Sequence, residues 1–249
     1  VKALHEIKQD IVRICGHLDV REYVGGRDGN VSARISETTI LITPAGMRKG
    51  DVQASDLLLV DRRGNQIEGR GKASTETGMH VNIYDARPDV RAIVHAHPPA
   101  ATGFAAAGRG ITGCVLPEVI VGLGEVPVVP YALPGTEEVF AALAPILSRH
   151  DAFLLANHGV VTVGTDVELA YQRMETVEQS ARILLAARLL GGARSLPTEE
   201  VERLLESRAR YGVREDLAGC ELRPSSPSSD DDALIEKIAL RVLERLRTS

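Results

Sequence analysis

The chain lacks four things that would decide its class at once. Its three cysteines, Cys15, Cys114 and Cys220, are an odd number with no Cys-x-x-Cys spacing, which argues against a disulfide framework or a thiolate zinc site and leads us to expect a reducing compartment. With 29 Lys and Arg against 34 Asp and Glu, net charge −5, there is no basic excess and no long basic stripe. A nucleic-acid groove or an anionic membrane surface is therefore not the natural partner, although local positive groups can still hold a phosphate. No apolar run is long enough to span a bilayer, and no signal-peptide pattern precedes the first helix, so a soluble, cytoplasmic chain is expected. No internal repeat is found. The 249 residues are 44% hydrophobic and 25% charged, enough to bury one sizeable core with a short appendage.

Apolar spacing at Leu4, Ile7, Ile11, Ile14 and Leu18 predicts a helix from Leu4 to about Val24, stopped by Gly25-Gly26. Strands are predicted at Val31 to Ile35, Thr39 to Thr43 and Leu57 to Asp61, and a helix at about Thr75 to Ala86 ended by Arg87-Pro88. Alternation follows: a strand ending at His95, a helix over Ala100 to Ala107, a strand around Val126 to Val129, a helix from Thr136 to Ser148 and a strand pair around Asn157-His158-Gly159. A long helix, Asp166 to Leu190, precedes a shorter one, Thr198 to Arg210, capped by Thr198. The main folded unit is thus expected to extend over 1–220. Residues 221–232 read as a Pro/Ser/Asp linker, and 233–249 are expected to form an amphipathic helix with Ile235, Ile238, Val242 and Leu246 on one face.

Chemistry concentrates in Val94-His95-Ala96-His97-Pro98-Pro99 and in Ala156-Asn157-His158-Gly159. Residues two apart in an extended strand share a face, so His95 and His97 can converge on one ion, and His158 supplies a third imidazole. Three histidines would leave a fourth zinc position open for water or substrate. The spacing alone is equally that of hydrogen-bonded core histidines. The flanking runs, Arg91 to Val94 and Ala152 to Leu155, read as buried strands that deliver the histidines to the end of a sheet, where sites on α/β scaffolds tend to lie.

Taken together, Gly29-Asn30-Val31-Ser32, Ile42-Thr43-Pro44-Ala45-Gly46, Ala73-Ser74-Thr75-Glu76, His95-Ala96-His97, Pro130-Tyr131-Ala132, Gly135-Thr136 and Asn157-His158-Gly159 resemble the class II aldolase/adducin superfamily, of the fuculose-phosphate aldolase type, over roughly residues 4 to 215. The resemblance implies an α/β class fold, a three-layer α/β/α sandwich around a mainly antiparallel central sheet, assembled as a homotetramer with sites between subunits. It implies Zn2+ on His95, His97 and His158, Glu76 as acid/base, and Asn30, Gly46, Ser74 and Thr75 around a substrate phosphate. A helix N-terminus with free N–H groups suits that anion, although Ser74 alone reads as an N-cap and Gly46 as a turn residue.

Two departures are visible. Ala45 stands where relatives commonly place a hydroxyl, and Ile111 to Glu118 has no tyrosine where the family's proton donor comes from a neighbouring subunit. Glu118 is the acid in that segment, but its plainer reading is an exposed carboxylate. Tyr211 resembles a mobile C-terminal tyrosine that closes over substrate. The implied activity is cleavage of a (deoxy)ketose 1-phosphate, such as fuculose or rhamnulose 1-phosphate, to dihydroxyacetone phosphate and lactaldehyde. Alternatives are a pentulose-phosphate 4-epimerase, which usually carries aspartate at position 76, a sugar-phosphate dehydratase or decarboxylase, and a non-catalytic adducin-like scaffold. The tail resembles peptides that bind shell proteins of bacterial microcompartments; a tetramer-stabilising helix is the competing reading.

Overall fold

The computed structural model describes residues 2–220, so the expected linker and C-terminal helix lie outside the described residues. Eight strands form one sheet: β1 (Asn30–Arg34), β2 (Thr39–Ile42), β3 (Leu58–Asp61), β4 (Gln66–Glu68), β5 (Ala92–Ala96), β6 (Val128–Val129), β7 (Ala152–Leu155) and β8 (Gly159–Gly164). Their order is β4-β3-β2-β1-β5-β8-β7-β6. Every pairing is antiparallel except β6 with β7.

Alternation along the strands builds two cores. In β5, Ala92, Val94 and Ala96 join one cluster while Ile93 joins the other; in β8, Val160 joins the first and Val161 and Val163 the second. Such two-sided burial gives nearly continuous apolar strands, as the sequence shows. The first face is covered by α1 (Leu4–Val20), α3 (Pro99–Ala106) and α6 (Val167–Leu189); the second by α2 (Thr77–Ala86) and α5 (Glu137–Leu147). The expected α/β/α sandwich around a mainly antiparallel sheet is the fold observed.

Boundaries differ for local reasons. Helix α1 ends at Val20, not Val24, because Glu22 takes φ 58° and a Schellman turn closes, with Tyr23 N–H donating to Leu18 O at 2.8 Å and Glu22 N–H to Asp19 O at 3.0 Å. Thr198 does not cap its helix: extended Pro197 holds the N-cap position and Thr198 is the first residue of α7 (Thr198–Ser207). The chain then tightens into a 3-10 turn, Arg208–Tyr211, ended by Gly212 at φ +66°. A short helix that the sequence patterning does not predict, α4 (Pro117–Gly122), begins at the end of the Ile111 to Glu118 segment.

The cysteine expectation is overturned. Cys114 and Cys220 form a disulfide across a sequence separation of 106. Packing of α7 on α4 brings them together, through a small core of Ile120, Val201, Leu204 and Leu205, and Cys15 is the odd, buried thiol. An odd count therefore hid one pair, and it gives no reading of the compartment.

Candidate metal centre

Three histidines meet at one end of the sheet. His95 lies in β5, His97 follows that strand, and His158 sits in the tight turn between β7 and β8. Asn157 makes this turn by adopting φ 56°, a left-handed conformation that Asn tolerates better than most residues. Gly159 follows because nothing larger fits: a Cβ there would lie 2.4 Å from His97 Cδ2 and 2.7 Å from Ala96 O. Gly29 does the same below the strand, at φ +71°, where a Cβ would meet His95 O at 2.7 Å.

Each ring is aimed. His95 is fully buried and its Nδ1–H donates to Val160 O at 2.9 Å, which leaves Nε2 as a lone pair directed into the site. His97 turns Nδ1 toward Asp28, 3.6 Å away, and brings Nε2 within 3.1 Å of His95 Nε2. One ligand atom from each of His95, His97 and His158 lies within 4.8 Å of the others. Pairwise ring-centroid distances of 4.8–5.0 Å place the three imidazoles around a common centre.

Glu76, at the N-cap of α2, completes the cluster. Its side chain does not cap the helix. Oε2 lies 3.2 Å from His95 Nε2 and accepts from Asn30 Nδ2 at 2.7 Å, while Oε1 lies 3.4 Å from His158 Nε2. Oε1 is buried without a hydrogen-bond partner in the protein. That orphan oxygen and three convergent nitrogens fit a divalent cation, for which imidazole and carboxylate are ordinary ligands.

The charges agree with the geometry. Burial alone would raise the Glu76 carboxyl, but the imidazoles of His95 and His158 and the Asn30 amide hold it well below the usual range. Burial, with His95 and His158 beside it, pushes His97 down to about 3, so its ring is neutral and available as a ligand. His158 is lowered by burial and by His95. His95 is raised because the Glu76 carboxylate outweighs its burial.

The other residues singled out by sequence are distributed around this cluster. Ser74 Oγ accepts from Glu76 N–H at 3.3 Å, Thr75 is exposed beside it, and Gly46 stands exposed at φ +71° on the loop after β2. Pro44 bridges to Ala73 and Ala45 N–H donates to Lys72 O, which ties the Gly46 loop to the start of α2. Asn30 is buried and its amide already serves Glu76 and His80, which leaves one Nδ2 hydrogen for a further acceptor. Glu118 is exposed in the first turn of α4 and lines a concavity of 310 Å³ with Arg21, Tyr23 and Glu175, not the histidine cluster. Tyr211 is 71% exposed on the 3-10 turn, with no side-chain hydrogen bond among the described residues.

Three site residues escaped sequence reasoning: His80, Tyr84 and, as a working side chain, Ser32. They lie directly behind Glu76 and Asn30. A usable signal was present, since Glu76, His80 and Tyr84 recur every four residues on the buried face of α2 opposite Asn30 and Ser32, two apart on β1.

Known proteins share this arrangement of sequence and fold. A family model described as class II aldolase and adducin N-terminal domain matches residues 9–185. A 3-oxo-tetronate 4-phosphate decarboxylase of Pectobacterium atrosepticum is 35% identical over 181 residues, covering 71% of this chain and 83% of the relative. An L-fuculose phosphate aldolase of Methanococcus maripaludis is 33% identical over 174 residues, 70% and 93% of the two chains. The crystal structure of an L-fuculose-1-phosphate aldolase from Thermus thermophilus superposes with a TM-score of 0.67 at 32% identity, over 78% of this chain and 100% of that one. By the extent of these matches, the chain belongs to the class II aldolase and adducin N-terminal domain family.

Proposed function

We propose that the chain is a zinc-dependent aldehyde-lyase that reversibly cleaves a ketose 1-phosphate, such as fuculose or rhamnulose 1-phosphate, to dihydroxyacetone phosphate and lactaldehyde. The observation that carries this reading is the convergence of His95, His97 and His158 beside the unpartnered Oε1 of Glu76. Bound zinc would supply Lewis-acid stabilisation of the negative charge left on the oxygens of the cleaved sugar. Glu76 then returns a proton to the carbon that has lost its bond, and takes one from it in the reverse direction.

Asn30, Gly46, Ser74 and Thr75 hold the phosphate in this reading. The start of α2 supports it, because free N–H groups and the hydroxyls of Ser74 and Thr75 are grouped at a helix N-terminus. Tyr211 and Glu118 are assigned to the aldehyde side, reached from a neighbouring subunit of a homotetramer; their exposure in a single protomer accords with that assignment.

A second reading, decarboxylation of a phosphorylated 3-oxo acid, has its own support. A departing carboxylate is already ionised and needs no proton exchange, which suits a segment, Ile111 to Glu118, that lacks the tyrosine an aldolase uses. A decarboxylase is also among the most similar relatives. Zinc-loaded protein offered parallel panels of ketose 1-phosphates and 3-oxo acid phosphates separates the two: an aldehyde such as lactaldehyde marks the aldolase and carbon dioxide the decarboxylase, whereas dihydroxyacetone phosphate is left by either reaction and marks neither. Release of neither aldehyde nor carbon dioxide contradicts both readings.

The linker and amphipathic pattern of 224–249 support delivery to a microcompartment shell protein. Deleting those residues is expected to leave activity intact and abolish co-localisation with shell proteins; loss of the tetramer instead favours an oligomer-stabilising helix.

A further inference from the structure

Behind Glu76 a ladder of buried polar groups runs between α2 and β1. Helix residues four apart rise about 6 Å and strand residues two apart about 6.6 Å, so the two rows interleave with little loss of register. Glu76 and Asn30 come first, then His80, Ser32 and Tyr84. Asn30 Nδ2 donates to Glu76 Oε2 at 2.7 Å, His80 Nε2 lies 2.5 Å from Asn30 Oδ1, Ser32 Oγ is 2.6 Å from His80 Nδ1, and Tyr84 Oη is 2.8 Å from Ser32 Oγ. At the far end the Arg34 guanidinium, two further along β1, stands 5.0 Å over the Tyr84 ring and holds it. His80 and Ser32 are completely buried.

Donor and acceptor roles in this chain are fixed by its first member. An ionised carboxylate only accepts, so Asn30 must turn its NH2 toward Glu76 and its carbonyl toward His80. His80 must then carry its proton on Nε2, which makes Nδ1 an acceptor for the Ser32 hydroxyl. Having spent its proton there, Ser32 accepts from Tyr84. All four hydrogen bonds point toward Glu76, an alignment in which each polarises the next. Burial also pushes His80 down to about 3, so the ring stays neutral and keeps this direction.

We propose that His80, backed by Ser32 and Tyr84, is a positioning residue that locks the Asn30 amide against Glu76 Oε2 and so leaves Oε1 as the oxygen that exchanges the substrate proton. Its effect on turnover rests on the acid/base reading of Glu76 above, whereas the direction of the ladder does not.

Nitrogen-15 NMR of the zinc-loaded protein reads the ladder directly: His80 is expected as the Nε2–H tautomer, and an Nδ1–H tautomer overturns the proposal. Kinetics read its consequence. His80→Leu is expected to lower kcat by about 10- to 100-fold, with KM changed less than about twofold and zinc content retained. His80→Gln, whose amide can still donate to Asn30 Oδ1, is expected to recover most of that loss. Equal rates for His80→Leu and His80→Gln, whether both normal or both impaired, overturn the positioning role. Should the His80→Leu protein not fold, Ser32→Ala carries the same test: the Nε2–H tautomer is expected to stay, because Asn30 fixes it, while kcat falls about tenfold, and an unchanged kcat overturns the positioning role. Wild-type protein without turnover on any substrate, yet with the Nε2–H tautomer, would instead fault the enzyme assignment and leave the ladder standing.

Discussion

Asn30 on β1 stands directly across from His95 on β5 in the antiparallel register, and Glu76 bridges them, accepting from the Asn30 amide at 2.7 Å and lying 3.2 Å from His95 Nε2. Cross-strand neighbours have their Cβ atoms about 5 Å apart, so sheet register sets the spacing of Asn30 and His95. The Glu76 carboxylate, proposed above as the acid/base, thereby has two partners held by one strand pairing.

Gly159→Ala should damage the metal centre more than the fold. The added Cβ would strike His97 Cδ2 and the Ala96 carbonyl, one of them backbone, so the His97 ring must move. Zinc affinity measured against a competing chelator is expected to fall about 10- to 100-fold. Gly16→Ala is the control: it lies inside α1 with nothing within 4 Å of the new Cβ, and is expected to leave zinc binding unchanged and stabilise by roughly 0.5–1 kcal/mol.

Glu76→Gln keeps the size of the side chain and removes its ability to exchange a proton. With zinc still bound through the three imidazoles, kcat is expected to drop about 10²- to 10⁴-fold, measured as product release at saturating substrate. Retention of wild-type turnover would remove Glu76 from the acid/base role.

In metal-free protein the Glu76–His95 pair should make stability depend on pH. The Glu76 carboxyl, held below its ordinary 4.5 against the effect of burial, contributes stability that is fully present above 4.5 and is lost as pH falls. His95, raised above its ordinary 6.5, contributes stability that is fully present below 6.5 and is lost as pH rises. The destabilisation caused by Glu76→Gln, read from urea midpoints, is therefore expected to be largest between 4.5 and 6.5 and to shrink on either side.

The Cys114–Cys220 bridge closes a loop of 106 residues and ties the segment after α7 to the start of α4. Cys220→Ser is expected to cost about 2–4 kcal/mol, read as a fall in Tm of roughly 4–16 °C, reproduced by a thiol reductant in the wild type and absent when reductant is added to the variant.

Sequence patterning made most of this fold legible. Burial of β5 and β8 on both faces shows as apolar runs, and the 3.6 period of α1 and α6 shows their core-facing sides. Ends were less legible, because they depend on single backbone conformations such as Glu22 at φ 58° and on Pro197 at a cap. His95, His97 and His158 stood out because ligand chemistry restricts residue type, whereas Glu76 entered only through the family resemblance. His80 did not stand out, since its role depends on which strand lies beneath α2, and helix periodicity cannot say that. The Cys114–Cys220 pairing was hidden for a similar reason: only the docking of α7 on α4 brings the two residues within a Cα separation of 5.5 Å.

Zinc titration of metal-free wild-type protein beside His97→Ala tests the central claim most directly. Binding of one ion per protomer in the wild type, lost or weakened by orders of magnitude in the variant, is the predicted result. Absence of zinc binding in the wild type, or binding that His97→Ala leaves unchanged, would contradict a metal centre built on His95, His97 and His158.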